Sequence, residues 1–289
     1  MPGGEMPDGK MPGGKTTGAR RSALPGFAPA LTITLAWVSM IVLLPLVSLA
    51  LRPWELGAAG VWHAVSEPRV LAALRLSFGA AALAAAVNVP FGLLVAWVMV
   101  RYPFPGRRLA DSLIDMPLAL PTAVAGISLT ALFSPKGWIG AWLLPLGIKV
   151  AYTPLGILVA LIFVGLPFVV RTLQPVLIDL PLNAEEAAAT LGATRSQTLR
   201  RVVLPALAPA LLAGFAAALA RGVGEYGSVI FIAGNMPMIS EIAPLLIVIR
   251  LEQLDYAGAA ALGLVMLLVS FTILMLLNIL QRRMGLRTR

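Results

Sequence analysis

The chain contains no cysteine and only one histidine among its 289 residues. The lack of cysteine excludes disulfides, thiolate metal sites and a cysteine nucleophile, and His63 alone cannot form a metal-binding cluster. Charged residues make up only 12% of the chain, about half their usual share in a soluble domain. Together with 59% hydrophobic residues, this scarcity of charge indicates a polytopic membrane protein.

Sequence patterns of nucleotide sites and hydrolases are also missing. The chain has no glycine-rich run ending in Gly-Lys-Ser or Gly-Lys-Thr, no zinc-site spacing and no Gly-x-Ser-x-Gly turn. We therefore predict no catalytic residue, metal or cofactor, so any energy must come from a partner protein. The net charge of +9 does not indicate a nucleic-acid partner, because the basic residues are scattered between apolar runs.

The beginning of the chain differs in composition from the rest. Residues 1–22 contain an imperfect repeat, MPGGE, MPDGK and MPGGK, which is rich in glycine and proline. Such a segment cannot bury an apolar core, and we predict a disordered tail. A signal peptide would need its apolar stretch close behind a short basic region. Here the apolar run comes late and is too long, which predicts that it stays attached as the first membrane helix.

Six apolar runs are long enough to cross about 30 Å of hydrocarbon as helices of roughly 20 residues. They carry charges almost only at their ends, which predicts an all-α polytopic membrane protein with six transmembrane helices. The predicted spans are Pro29–Leu51, Leu71–Val100, Leu113–Phe133, Pro154–Leu173, Leu204–Ile232 and Ala257–Leu280. Prolines and glycines interrupt the third and fourth of these runs.

Lysine and arginine are distributed unevenly between the two sides of the predicted membrane domain. The side that holds both termini and residues 183–205 has 15 of them, whereas the other side has 6. Because basic residues concentrate in cytoplasmic loops, we predict that both termini and residues 183–205 are cytoplasmic. Trp138 and Trp142, in an outward loop, are expected at the water interface.

The polar segment 183–205 lies between two apolar runs and is typical of two short capped helices. Asn183 and Glu186 have the spacing of a capping box, which predicts that Asn183 caps the first helix. Thr194 and Gln197 repeat the same pattern and predict the start of a second helix, which runs on toward the next apolar span.

The spacing of seven residues in this segment resembles the EAA loop of ABC importer membrane subunits. These residues are Glu186, Ala187, Ala188, Gly192, Val202, Leu204 and Pro205. The resemblance implies that the segment is a cytoplasmic coupling loop, which sits in a cleft of the ATP-hydrolysing subunit. Gly192 suits this role because it tolerates the positive φ of a sharp turn. An ordinary amphipathic linker between membrane helices is the alternative.

Arg221 and Glu225 lie within the fifth predicted span, where an ionised group costs about 2.5–3.5 kcal/mol unless it is paired or hydrated. At positions i and i+4 of a helix they can pair with each other, and Ser228 continues the same predicted face. Asn88, two residues before Pro90, is a smaller polar anomaly in the second span. It either releases backbone carbonyls toward a cavity or marks a kink.

The string ARGVGEYGSVIFIAGN around this pair resembles the T-type subunit of sulfate/thiosulfate importers, where alanine is commoner at the position of Gly222. The resemblance implies that the fifth helix lines the translocation route and its gate. We therefore expect Arg221, Glu225, Ser228 and Asn88 to lie on the translocation path or gate. A structural ion pair that holds two helices in register is the alternative.

Over residues 30–285 the resemblance implies a bacterial inner-membrane permease that imports sulfate or thiosulfate. It divides the chain into a disordered cytoplasmic tail (1–22), a transmembrane domain with the type I ABC importer permease fold (23–285) and a cytoplasmic C-terminus (286–289). The implied partners are an ABC ATPase dimer that binds the ATP, a homologous W-type permease, an extracytoplasmic sulfate/thiosulfate-binding protein and membrane lipid.

Three other functions stay open at this point. Molybdate and tungstate have the same charge as sulfate and a similar geometry, so sequence physics does not separate their transport. A secondary anion transporter would need its own coupling-ion site and often shows internal repeats. A membrane-embedded enzyme would depend on Asp111 and Asp115, which we instead expect on one face of an interfacial helix that meets nearby arginines.

Overall fold

The computed structural model describes residues 26–287, so the predicted tail and the last two residues of the predicted C-terminal segment lie outside the described residues. Within this range the chain is helical and contains no strand. Its α-helices are α1 Phe27–Val38, α2 Leu44–Leu51, α3 Gly57–Ser66, α4 Pro68–Arg101, α5 Arg107–Ala119, α6 Thr122–Phe133, α7 Gly140–Leu143, α8 Pro154–Asp179, α9 Leu182–Thr190, α10 Arg195–Thr198, α11 Leu204–Val223, α12 Val229–Ile232, α13 Ala243–Glu252 and α14 Tyr256–Arg287.

Five helical stretches in this range are long and apolar enough to cross a membrane. They are Pro29–Ser66, Pro68–Arg101, Pro154–Asp179, Arg195–Val223 and Tyr256–Met284. The pair α5 and α6 provides a sixth crossing if the two helices count as one bent span. The predicted all-α membrane architecture is thereby confirmed. Of the described residues, those up to Val47 form one compact unit, and those from Ser48 onward form a second unit that contains every site described below.

The third predicted span, Leu113–Phe133, is wrong as a single straight helix. Helices α5 and α6 meet at an angle of 109°. Leu120 adopts an extended conformation and Pro121 caps α6. A residue before proline is disfavoured in the α region, and proline itself donates no backbone hydrogen bond, so the helix must break at this point.

The fifth predicted span, Leu204–Ile232, is wrong at its C-terminal end. Helix α11 begins at Leu204, as predicted, and α10 leads into it through a π-helical turn at Leu199–Val203. It ends at Val223, and the chain is non-helical until α12 begins at Val229. The glycine-rich composition between these helices, which favours close backbone approach over continued helix, is the physical reason.

Helices α4, α8 and α11 form the centre of the fold and pack against one another more extensively than any other helices. Small residues permit this close approach, as in other membrane helix pairs. Gly92 of α4 and Gly214 of α11 both lie against Val169 of α8, and Gly222 of α11 lies against Ala81 of α4. The core therefore depends on glycine and alanine at the contacts between these three helices.

Replacing Gly92 by alanine is expected to lower the melting temperature of the purified protein in detergent. A Cβ atom at this position would lie 2.6 Å from Val169 Cγ1, and Val169 is fully buried and stiff at χ1. Overpacking of this kind costs about 1–3 kcal/mol. Gly79→Ala in the same helix is the matched control, because its Cβ meets nothing within 4 Å. An equal melting temperature for Gly92→Ala and Gly79→Ala would contradict the packing argument.

Candidate functional sites

The segment 183–205 folds into two helices joined by a tight turn. Helix α9 begins at Leu182, with Pro181 at the capping position and no side-chain cap. The prediction that Asn183 caps this helix is therefore wrong. Pro181 has the extended conformation that precedes a helix, so the helix starts directly after it and places Asn183 in the first turn.

The turn and the second helix form as the sequence predicts. Gly192 has a φ of 77°, the left-handed conformation that glycine adopts at little cost. Thr194 and Gln197 form a capping box, in which the Gln197 N–H donates to Thr194 Oγ1 and the Thr194 N–H donates to Gln197 Oε1. The reciprocal bonds fix the direction in which the chain leaves the turn.

One side of this helix–turn–helix is uncovered in the single chain. Glu186, Ala187 and Gly192 are exposed, and the Leu191 side chain is 88% exposed at the tip of the turn. Of the other predicted coupling residues, Pro205 is exposed, and Ala188, Val202 and Leu204 are half-buried. The tip of the turn therefore presents a leucine, an alanine and a carboxylate at the surface of the single chain.

The opposite side of α9 is tied to the end of α4 by a residue that sequence reasoning missed. Arg101 Nη2 donates to Glu185 Oε1 at 2.9 Å and approaches the Leu180 carbonyl at 3.4 Å. The same guanidinium lies over the Trp97 ring, 5.4 Å from its centroid. Glu185 therefore attaches α9 to the membrane helices, and its neighbour Glu186 stays available at the surface.

The predicted pair between Arg221 and Glu225 is present. Glu225 Oε2 contacts the Arg221 guanidinium, and Glu225 Oε1 accepts hydrogen bonds from the Ser228 N–H at 2.9 Å and the Ser228 hydroxyl at 2.8 Å. The Glu225 side chain is 1% exposed and that of Arg221 is 31% exposed. A buried carboxylate is thus held by three donors, which is what stabilises a charge inside a span.

The expectation that these residues share one helical face is wrong, because α11 ends before Glu225. The break packs against α6, where a Cβ on Gly126 would lie 2.4 Å from the Ser228 carbonyl oxygen. A Cβ on Gly227 would lie 2.1 Å from Thr122 Oγ1. The Arg221–Glu225 pair consequently connects the end of a helix to an irregular segment that lies against a second helix.

Asn88 belongs to α4, contacts α8 and is 1% exposed. Its Nδ2 donates to the Ile162 carbonyl at 3.1 Å, whereas its Oδ1 is buried without a hydrogen-bond partner among the described residues. Gly165 lies directly against the amide, since a Cβ there would be 2.7 Å from Nδ2. Asn88 therefore links two helices of the central bundle, and its place on a transport path stays a prediction.

Asp111 and Asp115 meet an arginine, as expected for an interfacial helix. Both carboxylates bind Arg171 of α8, Asp111 at 2.8 Å, and Gln174 accepts from the same guanidinium at 2.7 Å. This network attaches α5 to α8. Among residues 26–287, no group of three histidine, aspartate or glutamate side chains is arranged to hold a metal ion.

Comparison with known proteins places this geometry in a family. The sequence profile of the family described as "Binding-protein-dependent transport system inner membrane component" matches residues 88–286. The chain belongs to this family. The match covers the second part of α4, all of α8 and α11, the helix–turn–helix and the Arg221–Glu225 pair, and it separates the chain from secondary transporters.

Two curated relatives are similar over almost their whole length. The sulfate transport system permease protein CysT of Salmonella typhimurium is 49% identical over 92% of this chain and 96% of that protein. The probable sulfate transport system permease protein cysT of Nephroselmis olivacea is 47% identical over 90% of this chain and 91% of that protein. The similarity therefore extends beyond the family profile to almost all of the membrane domain.

The fold is also that of a solved ABC transporter subunit. A chain of a bacterial ABC transporter for import of the acidic polysaccharide alginate superposes with a TM-score of 0.72 at 17% identity, over 88% of this chain and 94% of that chain. The same transporter in complex with an alginate pentasaccharide-bound periplasmic protein gives a TM-score of 0.73 at 18% identity. At such identities the likeness concerns the fold alone, and it agrees with the predicted ABC importer permease fold.

Proposed function

We propose that this chain is the membrane-spanning subunit of an ATP-driven importer for sulfate or thiosulfate. The observation that carries the proposal is its 49% identity, over 92% of the chain, to a sulfate transport system permease. The exposed helix–turn–helix around Leu191 and Gly192 supports it as a contact for an ATP-hydrolysing subunit. Sulfate and thiosulfate take precedence over molybdate and tungstate because the relatives are sulfate permeases.

The working assembly would contain this chain, a homologous W-type permease, two ATPase subunits and an extracytoplasmic binding protein. The ATPase subunits bind and hydrolyse the ATP, and this chain contributes the membrane route. The solved alginate transporter, which has the same fold, is in complex with a periplasmic protein. An equivalent partner would deliver the anion to the end of this chain that lies opposite α9.

The chain would lie in the bacterial inner membrane with both termini and residues 183–205 in the cytoplasm. The distribution of lysine and arginine supports this orientation, since 15 of these residues lie on that side and 6 on the other. It also places α9 where ATP is available. Residues 1–22 would be a cytoplasmic tail attached to the membrane domain at residues 23–285.

Arg221, Glu225 and Ser228 would form part of the gate on the translocation path, with Asn88 beside it. The half-exposed Arg221 and the fully buried Glu225 support this placement, because one end of the pair reaches an open surface and the other anchors a break between helices. A non-helical segment at membrane depth is tolerated where it is enclosed by protein or lines a water-filled route.

ATP hydrolysis by the reconstituted complex tests the proposal. We expect the binding protein loaded with sulfate or thiosulfate to stimulate hydrolysis several-fold, and the molybdate-loaded or empty protein to leave it at the basal rate. Sulfate and thiosulfate should also accumulate inside the vesicles, whereas molybdate should not. Stimulation by the molybdate-loaded protein alone would contradict the sulfate assignment. An ATP hydrolysis rate that no loaded binding protein raises would contradict the importer assignment.

A further inference from the structure

A cavity of about 730 Å³ lies between the first part of α4 and the beginning of α8, at the end of the bundle opposite α9. Arg75 and Lys149 line it from the two sides, and Gly79 and Leu83 continue its wall along α4. Of the residues that line this cavity, two are basic and none is acidic. The cavity therefore concentrates positive charge in one place.

These two basic side chains differ from the paired arginines of the structure. Six arginines in the described range form ion pairs with carboxylates: Arg52, Arg69, Arg101, Arg171, Arg221 and Arg250. Arg75 and Lys149 are exposed, and neither side chain has a carboxylate partner between residues 26 and 287. Their positive charge is thus available to an anion from outside the chain.

Arg75 lies in the first part of α4, close to the outer end of the helix. It lies within the span Pro68–Arg101, about 10 Å along the axis from the first residue of α4. An unpaired charge inside a span is tolerated where it faces protein or a water-filled cavity. Gly79, one turn further along α4, has open space at its Cβ position and lines the same cavity as Arg75.

We propose that this cavity, named here the Arg75–Lys149 cavity, binds a small tetrahedral oxyanion before the anion reaches Arg221. Two cations suit a dianion, and a cleft lined by one sign of charge raises the local concentration of the opposite ion about 10- to 1000-fold. The assignment to the transported anion rests on the proposed function. A phosphate headgroup of an anionic lipid has the same chemistry and is the competing source.

Labelling of a single cysteine tests the charge of the cavity, because the native chain has none. Leu83 lines the cavity and is 53% exposed, so Leu83→Cys provides the probe position. In the reconstituted complex, labelling of this subunit is followed with an anionic and a cationic methanethiosulfonate reagent. We expect the anionic-to-cationic rate ratio to fall about tenfold when Arg75→Gln and Lys149→Gln are added.

Lys136→Gln on the same Leu83→Cys background is the matched control. Lys136 is an exposed lysine in the connection between α6 and α8 and does not line the cavity. The Lys136→Gln change removes one positive charge outside the cavity and should leave the rate ratio unchanged. Equal ratios in all three backgrounds, or no labelling by either reagent, would overturn the proposal of a water-filled cationic cavity.

Protection experiments identify the source of the anion. Slower labelling in sulfate than in chloride of equal ionic strength, without the binding protein, supports the transported oxyanion. If labelling slows as the phosphatidylglycerol content of the vesicles rises, and sulfate does not change its rate, the bound anion is a lipid headgroup and the assignment to the transported oxyanion is overturned. The labelling ratio can be measured without transport, so it tests the charge of the cavity independently of the proposed function. A complex that transports only molybdate would contradict the proposed function without changing the labelling result.

Discussion

Replacing Glu225 by glutamine is expected to reduce ATP-driven uptake about 100-fold, since loss of one partner from a buried, charge-assisted contact costs about 2–3 kcal/mol. Glutamine has nearly the same shape and can still accept from both Ser228 donors. The substitution removes the negative charge next to Arg221. The Arg221 side chain is only 31% exposed, so water replaces that charge incompletely. Uptake of radiolabelled sulfate into vesicles measures the effect.

Assembly of the complex distinguishes a gate from a structural pair. All of the groups involved lie within one subunit, so the Glu225→Gln complex should purify with its partners if the pair acts as a gate. Ser228→Ala is the matched control, because it removes one hydrogen bond to the carboxylate, worth about 1.5–3 kcal/mol, and keeps both charges. Normal uptake by Glu225→Gln would reject the gate, and loss of assembly would assign the pair to structure.

Gly192→Asp is expected to abolish uptake and to remove the stimulation of ATP hydrolysis by the loaded binding protein. The change should leave this subunit folded, because a Cβ on Gly192 meets nothing within 4 Å and left-handed φ costs about 1–2 kcal/mol outside glycine. The new carboxylate would project from the exposed turn next to Leu191. It would thereby prevent close docking of the ATPase surface on which the coupling depends.

Gly106→Asp separates backbone strain from loss of docking. Gly106 also has a left-handed φ, 83°, and open space around its Cβ position, but it lies in the turn before α5. We expect this variant to keep most of its uptake. If Gly106→Asp and Gly192→Asp lose coupling equally, strain explains the loss; if Gly192→Asp stays coupled, the assignment of residues 183–205 fails.

Much of the fold could be predicted because its dominant signals are local. Apolar runs of sufficient length identify the membrane helices, and the Thr194–Gln197 capping box depends on residues only three apart. The errors arise where one local signal overrides another. Pro121 bends the third span despite its apolar composition, Pro181 starts α9 in place of Asn183, and the glycines after Val223 end a helix that hydropathy alone would continue.

The contacts that tie the sites together could not be predicted, because they join residues distant in sequence. Arg69 and Glu241 are 172 residues apart, and Arg101 and Glu185 are 84 apart. No spacing rule connects such partners. Arg221 and Glu225, by contrast, are four residues apart, so their pairing followed from sequence even though the helix assumed for it ends between them.

An ion pair near each end of α4 connects this helix to two other parts of the chain. At one end Arg69 donates to the buried carboxylate of Glu241 at 2.6 and 2.7 Å, and at the other Arg101 binds Glu185 of α9. The two arginines are about 48 Å apart along the helix axis. A tilt of 5° about the midpoint would move each end by about 2 Å in opposite directions. We therefore expect a displacement of α9 to reach the segment before α13 through α4.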